Sequence, residues 1–168
     1  MDIQLSNINS AEQIFKIFEN CKSAMELEKI FQWTDSYPNL DIIINDIKNS
    51  DLYELRIDGE LLGVICFNIK QDPQYEIIDW VDKNGKVLII HRLAINPLFQ
   101  NQGLAKALMT FAEDFALINN FTSIRLDAFS GNKKGLKIYE GRRYLKRGEI
   151  NFPGRNLPFF CYERMVSK

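Results

Sequence analysis

VLIIHRLAINPLFQNQGLAK, residues Val87–Lys106, changes character halfway along. An apolar run of strand type ends in a polar loop containing glycine, and a helix-forming sequence follows. Gln100, Asn101, Gln102 and Gly103 leave several backbone N–H groups uncovered. The positive end of the next helix, about half a charge, points at whatever occupies the loop. The stretch reads as an anion cradle, and a phosphate suits it. It is not a P-loop, because GxxxxGK[ST] is absent, and it does not match GxGxxG. What remains is Gln100-x-x-Gly103-x-Ala105 between a strand and a helix, with small residues where backbone must approach a ligand.

Downstream, Leu104, Leu108, Phe111, Ala112 and Phe115 share one helical face, with Lys106, Glu113 and Asp114 expected in water. Ser123 to Phe129 alternates as a strand, with Ile124, Leu126 and Ala128 on one side and Arg125, Asp127 and Phe129 on the other. Strand, helix, strand implies a parallel pair with a right-handed crossover. Ser130-Gly131-Asn132 opens a short helix carrying Leu136, Ile138 and Tyr139, and Tyr144–Phe152 and Phe159–Val166 read as two closing strands.

Upstream, Ile3, Leu5 and Ile8 suggest a first strand, with Ser10 as N-cap of a helix. The apolar spacing from Ile14 to Phe31 predicts two helical pieces bent around Lys22 and Ser23. Asp41 to Lys48 reads as another helix. Leu52–Ile57 and Leu61–Asn68 are two strands joined by Asp58-Gly59, whose residues supply the positive φ angles of a tight hairpin. Gln71 to Trp80 is an excursion with a short strand expected near Glu76–Val81.

At 168 residues, 46% apolar and 26% charged, the chain fits one domain over 1–168, large enough to bury roughly 70% of its unfolded surface. A net charge of −1 gives no field that draws nucleic acid or an anionic membrane, so neither is an expected partner. Cys21, Cys66 and Cys161 are far apart and there is one histidine, so neither a metal site nor a disulfide framework can be drawn, and buried thiols are expected. The N-terminal stretch lacks the pattern of a signal peptide and no apolar run reaches bilayer length, which makes a reducing cytoplasm the default expectation.

HRLAINPLFQNQGLAKALMTFAEDFA followed by SIRLDAFSGNKKGLKIYE strongly resembles the acetyl-CoA and pyrophosphate-binding core of the GNAT superfamily of N-acetyltransferases. IFQWTDSYP, the Asp-Gly hairpin and PFFCYERMV look like the corresponding parts of small bacterial members, so the resemblance runs nearly the whole chain in order. It implies an α/β fold of the α+β kind: a central, mostly antiparallel sheet with one splayed parallel pair and helices on both faces. Acetyl-CoA is the implied co-substrate, with no metal. Its pantetheine arm would pair with backbone at Leu93, Ala94 and Ile95 as a missing strand would. Gln100, Asn101, Gln102, Gly103, Leu104, Ala105 and Lys106 would hold the pyrophosphate. Asn132 stands where the family often bonds the arm, and Tyr139 where a tyrosine often protonates the departing thiolate.

A neutral amine must attack, so a base or water relay is expected. His91 is the first candidate, and Glu54, Glu76 and Asp79 are alternatives on neighbouring segments. Trp33, Tyr37, Tyr75 and Trp80 favour a compact aromatic pocket and hence a small-molecule amine as acceptor, although they serve equally as loop anchors. A protein N-terminus or lysine is the alternative acceptor, and acyl-CoA binding without turnover the alternative class. A homodimer pairing through the C-terminal strands is compatible with the sequence. Two departures from the family pattern stand out: Ala105 replaces a common glycine, and Arg143 occupies the position where glycine accepts a positive φ, so that Gly141 is expected to end its helix early.

Overall fold

Asparagines open two helices of this chain. Asn39 Oδ1 accepts the N–H of Ile42 at 2.9 Å at the head of α2 (Leu40–Lys48), and Asn132 Oδ1 accepts that of Gly135 at 3.0 Å at the head of α4 (Lys133–Glu140). Each satisfies one of the donors a helix start leaves over. The computed structural model describes residues 1–166. Its other elements are β1 (Asp2–Leu5), α1 (Ala11–Leu27), β2 (Leu52–Ile57), β3 (Glu60–Asn68), β4 (Val87–Ile95), α3 (Leu104–Ile118), β5 (Ser123–Phe129), β6 (Leu145–Ile150) and β7 (Phe159–Met165). Hydrogen bonding orders the strands β1-β2-β3-β4-β5-β7-β6. The strand registers make β1/β2, β2/β3, β5/β7 and β6/β7 antiparallel and β4/β5 parallel, the mixed sheet the resemblance implies.

Several local expectations give way. Ser10 does not cap α1: Asn7 caps a 3-10 turn at Ile8–Ser10, and the Ser10 hydroxyl accepts from Arg56 at 3.3 Å instead. The two bent pieces are one helix, α1, with no break at Lys22 or Ser23. Ile30 and Phe31 lie beyond it. The segment expected as a strand near Glu76–Val81 begins as a 3-10 turn at Pro73–Ile77, because Asp72 caps Gln74 N–H at 3.0 Å and Pro73 fixes the first turn.

The helix stops share one device. In α1, Ile30 N–H donates to Met25 O at 2.9 Å and Lys29 N–H to Glu26 O at 2.9 Å. The same pair of bonds closes α2 at Ser50, α3 at Asn120 and α4 at Arg143, all four residues lying at φ between 57° and 65°. These are Schellman closures, which favour glycine because a side chain strains the left-handed backbone. None of the four is glycine. The helix α4 does stop at Glu140 with Gly141 as its C-cap, as expected, but Gly141 keeps φ −65° and Arg143 adopts the left-handed conformation itself.

The chain forms two compact units, Met1–Phe67 with Arg92–Phe111, and Asn68–His91 with Ala112–Lys168. In the first, Ile14, Phe18, Ile43, Leu52, Val64 and Cys66 are fully or nearly fully buried. The first unit also buries an ion pair. Arg92 on β4 donates to Asp46 on α2, to Tyr37 Oη at 2.8 Å and to Cys66 Sγ at 3.3 Å. This ties the α1–α2 connection and α2 to the strand.

In the second unit, Glu163 on β7 accepts from Arg125 Nε at 3.2 Å and from the N–H groups of Val81 and Asp82 at 2.7 and 3.3 Å. Arg125 also stacks on Trp80 at 4.3 Å. The segment between β3 and β4 is thereby fastened to β5 and β7. Glu113, expected in water, is half-buried between Arg142 (2.6 Å) and Arg164 (2.5 Å). The three cysteines are free thiols, and all are buried. No described helix is long and apolar enough to cross a membrane.

Candidate acetyl-transfer site

In the first unit β4 runs into the loop at Gln100. Asn96 N–H donates to Leu62 O on β3 at 2.8 Å. Because backbone groups alternate edges along a strand, those of Ala94 also turn toward β3, and those of Leu93 and Ile95 turn to the opposite edge. Gly63 on β3 permits the approach: a Cβ there would stand 2.9 Å from Ala94 O. The Ile95 carbonyl is already occupied, accepting from Cys21 Sγ at 3.1 Å and from Gln100 Nε2 at 3.2 Å. The Gln100 side chain, expected to face a pyrophosphate, folds back onto this strand end.

Asn101 and Gly103 take left-handed φ values of 64° and 81°. Turn backbone of this kind lines up successive N–H groups into a concavity for anions. The first bond of the α3 ladder from the loop is Ala107 N–H to Gly103 O at 3.0 Å, so the N–H groups of Leu104, Ala105 and Lys106 belong to the first turn, which a helix leaves for outside acceptors. A Cβ built at Gly103 meets nothing within 4 Å, so the space above that glycine is open. Asn101, Gln102 and Lys106 are exposed. These residues fit a diphosphate in charge and in donor type.

The second unit carries the titratable groups. Tyr139 on α4 is half-buried, its ring 6.3 Å from those of Tyr144 and Tyr162. Burial, reinforced by the charge of Asp127, raises its phenol well above the ordinary value, so it holds its proton throughout the working range. His91 Nε2 lies 2.7 Å from Asn68 Oδ1. That oxygen also accepts the Lys70 N–H at 2.8 Å, which identifies it as an acceptor, so His91 must present Nε2–H to it. Asn132 caps α4 with its Oδ1.

The aromatic residues all pack. Trp33 is 8% exposed and meets Phe18 edge-on at 5.1 Å, and Tyr37 receives the Arg92 bond; both lie in the first unit. Tyr75 and Trp80 lie in the second, rings 5.2 Å apart, with Trp80 Nε1 donating to Tyr75 O at 2.9 Å. Of the alternative bases, Glu54 is buried in the first unit against Arg56 at 2.8 Å. Glu76 is exposed, and Asp79 is exposed and paired with Lys83 at 3.0 Å.

Asp127 on β5 was not singled out by sequence. It accepts from Tyr75 Oη at 2.7 Å, and burial pushes its carboxyl up to about 6, with that bond opposing the rise. The available signal was an acid two residues from Arg125 on one face of a buried strand. Glu163 takes the arginine, which leaves the acid to Tyr75.

The model of the Acetyltransferase (GNAT) family matches residues 11–143. An uncharacterised N-acetyltransferase from Lactobacillus delbrueckii subsp. lactis is 31% identical over 103 residues, 61% of this chain; the chain spans 56% of that relative's length. Among solved structures, a GNAT-family acetyltransferase from Streptococcus agalactiae superposes with a TM-score of 0.88 at 24% identity, covering 99% of this chain and 96% of its own. The PaiA N-acetyltransferase of Thermoplasma acidophilum, in complex with coenzyme A, gives 0.73 at 18% identity, with 98% of each chain covered. The mixed seven-stranded sheet is the fold of these proteins, and with the family model matched over most of its length, the chain belongs to the acetyltransferase (GNAT) family.

Proposed function

We propose that the chain is an N-acetyltransferase that moves the acetyl group of acetyl-CoA to a primary amine of a small molecule, by direct attack of the amine in a ternary complex. The observation that carries this reading is the left-handed loop at Asn101 and Gly103 leading from β4 into the start of α3. Backbone N–H groups of the loop and first turn, with Lys106, bind the donor's diphosphate. The outward edge of β4 at Leu93 and the N–H of Ile95 hold the pantetheine arm as an added strand, the Ile95 carbonyl being used within the chain. The N–H near Leu93 polarises the thioester carbonyl. Asn132 steadies the arm.

Tyr139 gives its proton to the departing thiolate. A raised phenol is a weak acid, but a thiolate released into dry surroundings is a stronger base too. The same physics raises the buried Cys161 thiol, so burial strengthens a thiolate as a base in the same direction as it weakens the phenol as an acid. Sequence nominates His91 to take the amine's proton.

The test is Tyr139→Phe, which keeps the ring and removes the proton. Turnover should fall about 10²-fold or more with acetyl-CoA affinity within about twofold, since general acid catalysis contributes on that scale. Unchanged turnover would remove Tyr139 from the mechanism.

A further inference from the structure

The surroundings of Asp127 are unusual for a charged residue on an inner strand. Directly across β7 stands Cys161, and on the neighbouring register Leu126 faces Tyr162. Side chains alternate faces along each strand, so Tyr162, with Tyr139 against it, marks one face of the sheet and Asp127 with Cys161 the other. On the Asp127 face lies Tyr75, which donates to Asp127 Oδ2. Tyr75 bonds Asp127, and the other titratable groups within reach of its charge are Asp72 from the cap of the 3-10 turn, Cys161 from β7 and Tyr139 from α4. All are acids. Among the described residues no lysine or arginine pairs with it, and Arg125, two residues away on the same strand, is held by Glu163. The parallel register between β4 and β5 runs from Val87↔Ser123 to Ile90↔Leu126, so Asp127 follows the last registered pair.

A carboxylate kept without a cation, on the sheet face opposite the proton donor of the proposed reaction yet close enough for its charge to act on that donor, has a use if the missing cation is the acceptor. We infer that Asp127 is the catalytic base, taking a proton from the acceptor nitrogen, with Tyr75 as its positioning residue, and that the acceptor is a cationic primary amine. This rests on the acetyltransferase reading and replaces His91 in one role. The protons balance. The ammonium form docks on Asp127 and gives it one proton. The amine attacks the thioester carbonyl, and the C–S bond breaks as the C–N bond forms. Tyr139 protonates the sulfur and recovers a proton from the acetylated nitrogen, and Asp127 releases its own to water.

The raised carboxyl suits the role, because a base near neutrality removes a proton better than one near 4. Tyr75 tunes it: its O–H favours the charged form, so removing that donor makes the carboxyl hold its proton to higher pH.

The experiment is kcat/KM against pH for the unaltered chain, Asp127→Asn, Asp127→Glu, Tyr75→Phe and His91→Gln. CoA release is followed with tyramine, spermidine, lysine and a short peptide with a free N-terminus. Asparagine keeps an oxygen for the Tyr75 bond, so folding is preserved. The unaltered chain should lose activity below about pH 6, the position set by the raised Asp127 carboxyl. Asp127→Asn should lower kcat about 10²-fold or more, leave the acetyl-CoA Kd within twofold and abolish that acidic limb. Asp127→Glu should retain a limb, Tyr75→Phe should move it upward, and His91→Gln should leave it in place. A limb that survives in Asp127→Asn, or vanishes in His91→Gln, overturns the assignment. If the unaltered chain binds acetyl-CoA but releases no CoA with any of these amines, the acetyltransferase reading fails and the inference with it. Release that Asp127→Asn retains defeats the inference alone.

Discussion

A carboxylate held for chemistry should weaken the fold that holds it, and Asp127→Asn measures by how much. The folded carboxyl is pushed up to about 6 by burial, against roughly 3.9 in an unfolded chain. Between those values the folded state binds more protons than the unfolded state, so stability falls as pH rises through the window and stays lowered above it. About two pH units at 1.36 kcal/mol each gives a ceiling of about 3 kcal/mol. Because the side chain is only half-buried, water recovers part of that, and about 1–3 kcal/mol is the expectation. Asparagine has no charge to desolvate and keeps the Tyr75 bond. The variant should therefore be more stable than the unaltered chain at pH 8, by about 3–10 °C in Tm for a chain of this size. The two should converge below pH 4, where both side chains are neutral. Urea unfolding at pH 8, 6 and 4 gives the comparison. A variant no more stable at pH 8, or an advantage that persists undiminished at pH 4, refutes the reasoning.

Asp46→Ala should destabilise the chain by about 3–5 kcal/mol, read by urea unfolding, because it leaves the buried Arg92 guanidinium without its counter-charge. Arg143→Gly and Lys29→Gly should each raise stability by about 0.5–1 kcal/mol. Each relieves a left-handed strain of roughly 1–2 kcal/mol, less the freedom glycine gains when unfolded. The two closures share no hydrogen bonds, so the double variant should show the sum within about 0.5 kcal/mol in thermal or urea unfolding.

What sequence made legible follows from where the physics is local. The Asp58-Gly59 turn has φ values of 50° and 82°, because that dipeptide carries its own conformational signal. The loop at Gly103 was readable for the same reason. The end of α2 at Lys48 is legible too, but that of α1 is not: its closure places Lys29 in a conformation usually marked by glycine, and the helix expected to bend around Lys22 runs unbroken to Leu27. Ser10 lost its cap role to Asn7 because Arg56, 46 positions away, claimed its hydroxyl. The burial of Glu113 is not legible in its helix pattern, because its arginines come from the turn after α4 and from β7. Asp127 was missed on the same grounds. Its character depends on Tyr75, 52 positions distant, and on Glu163 having taken Arg125, neither of which a strand pattern reveals.

Acetyl transfer itself is tested most directly by incubating the unaltered chain with acetyl-CoA, with and without the four amines, and following CoA thiol release together with the mass of the amine. The account predicts release that requires an amine and matches the acetylated amine mole for mole. Release without any amine, or firm acetyl-CoA binding with no release in any mixture, would contradict it.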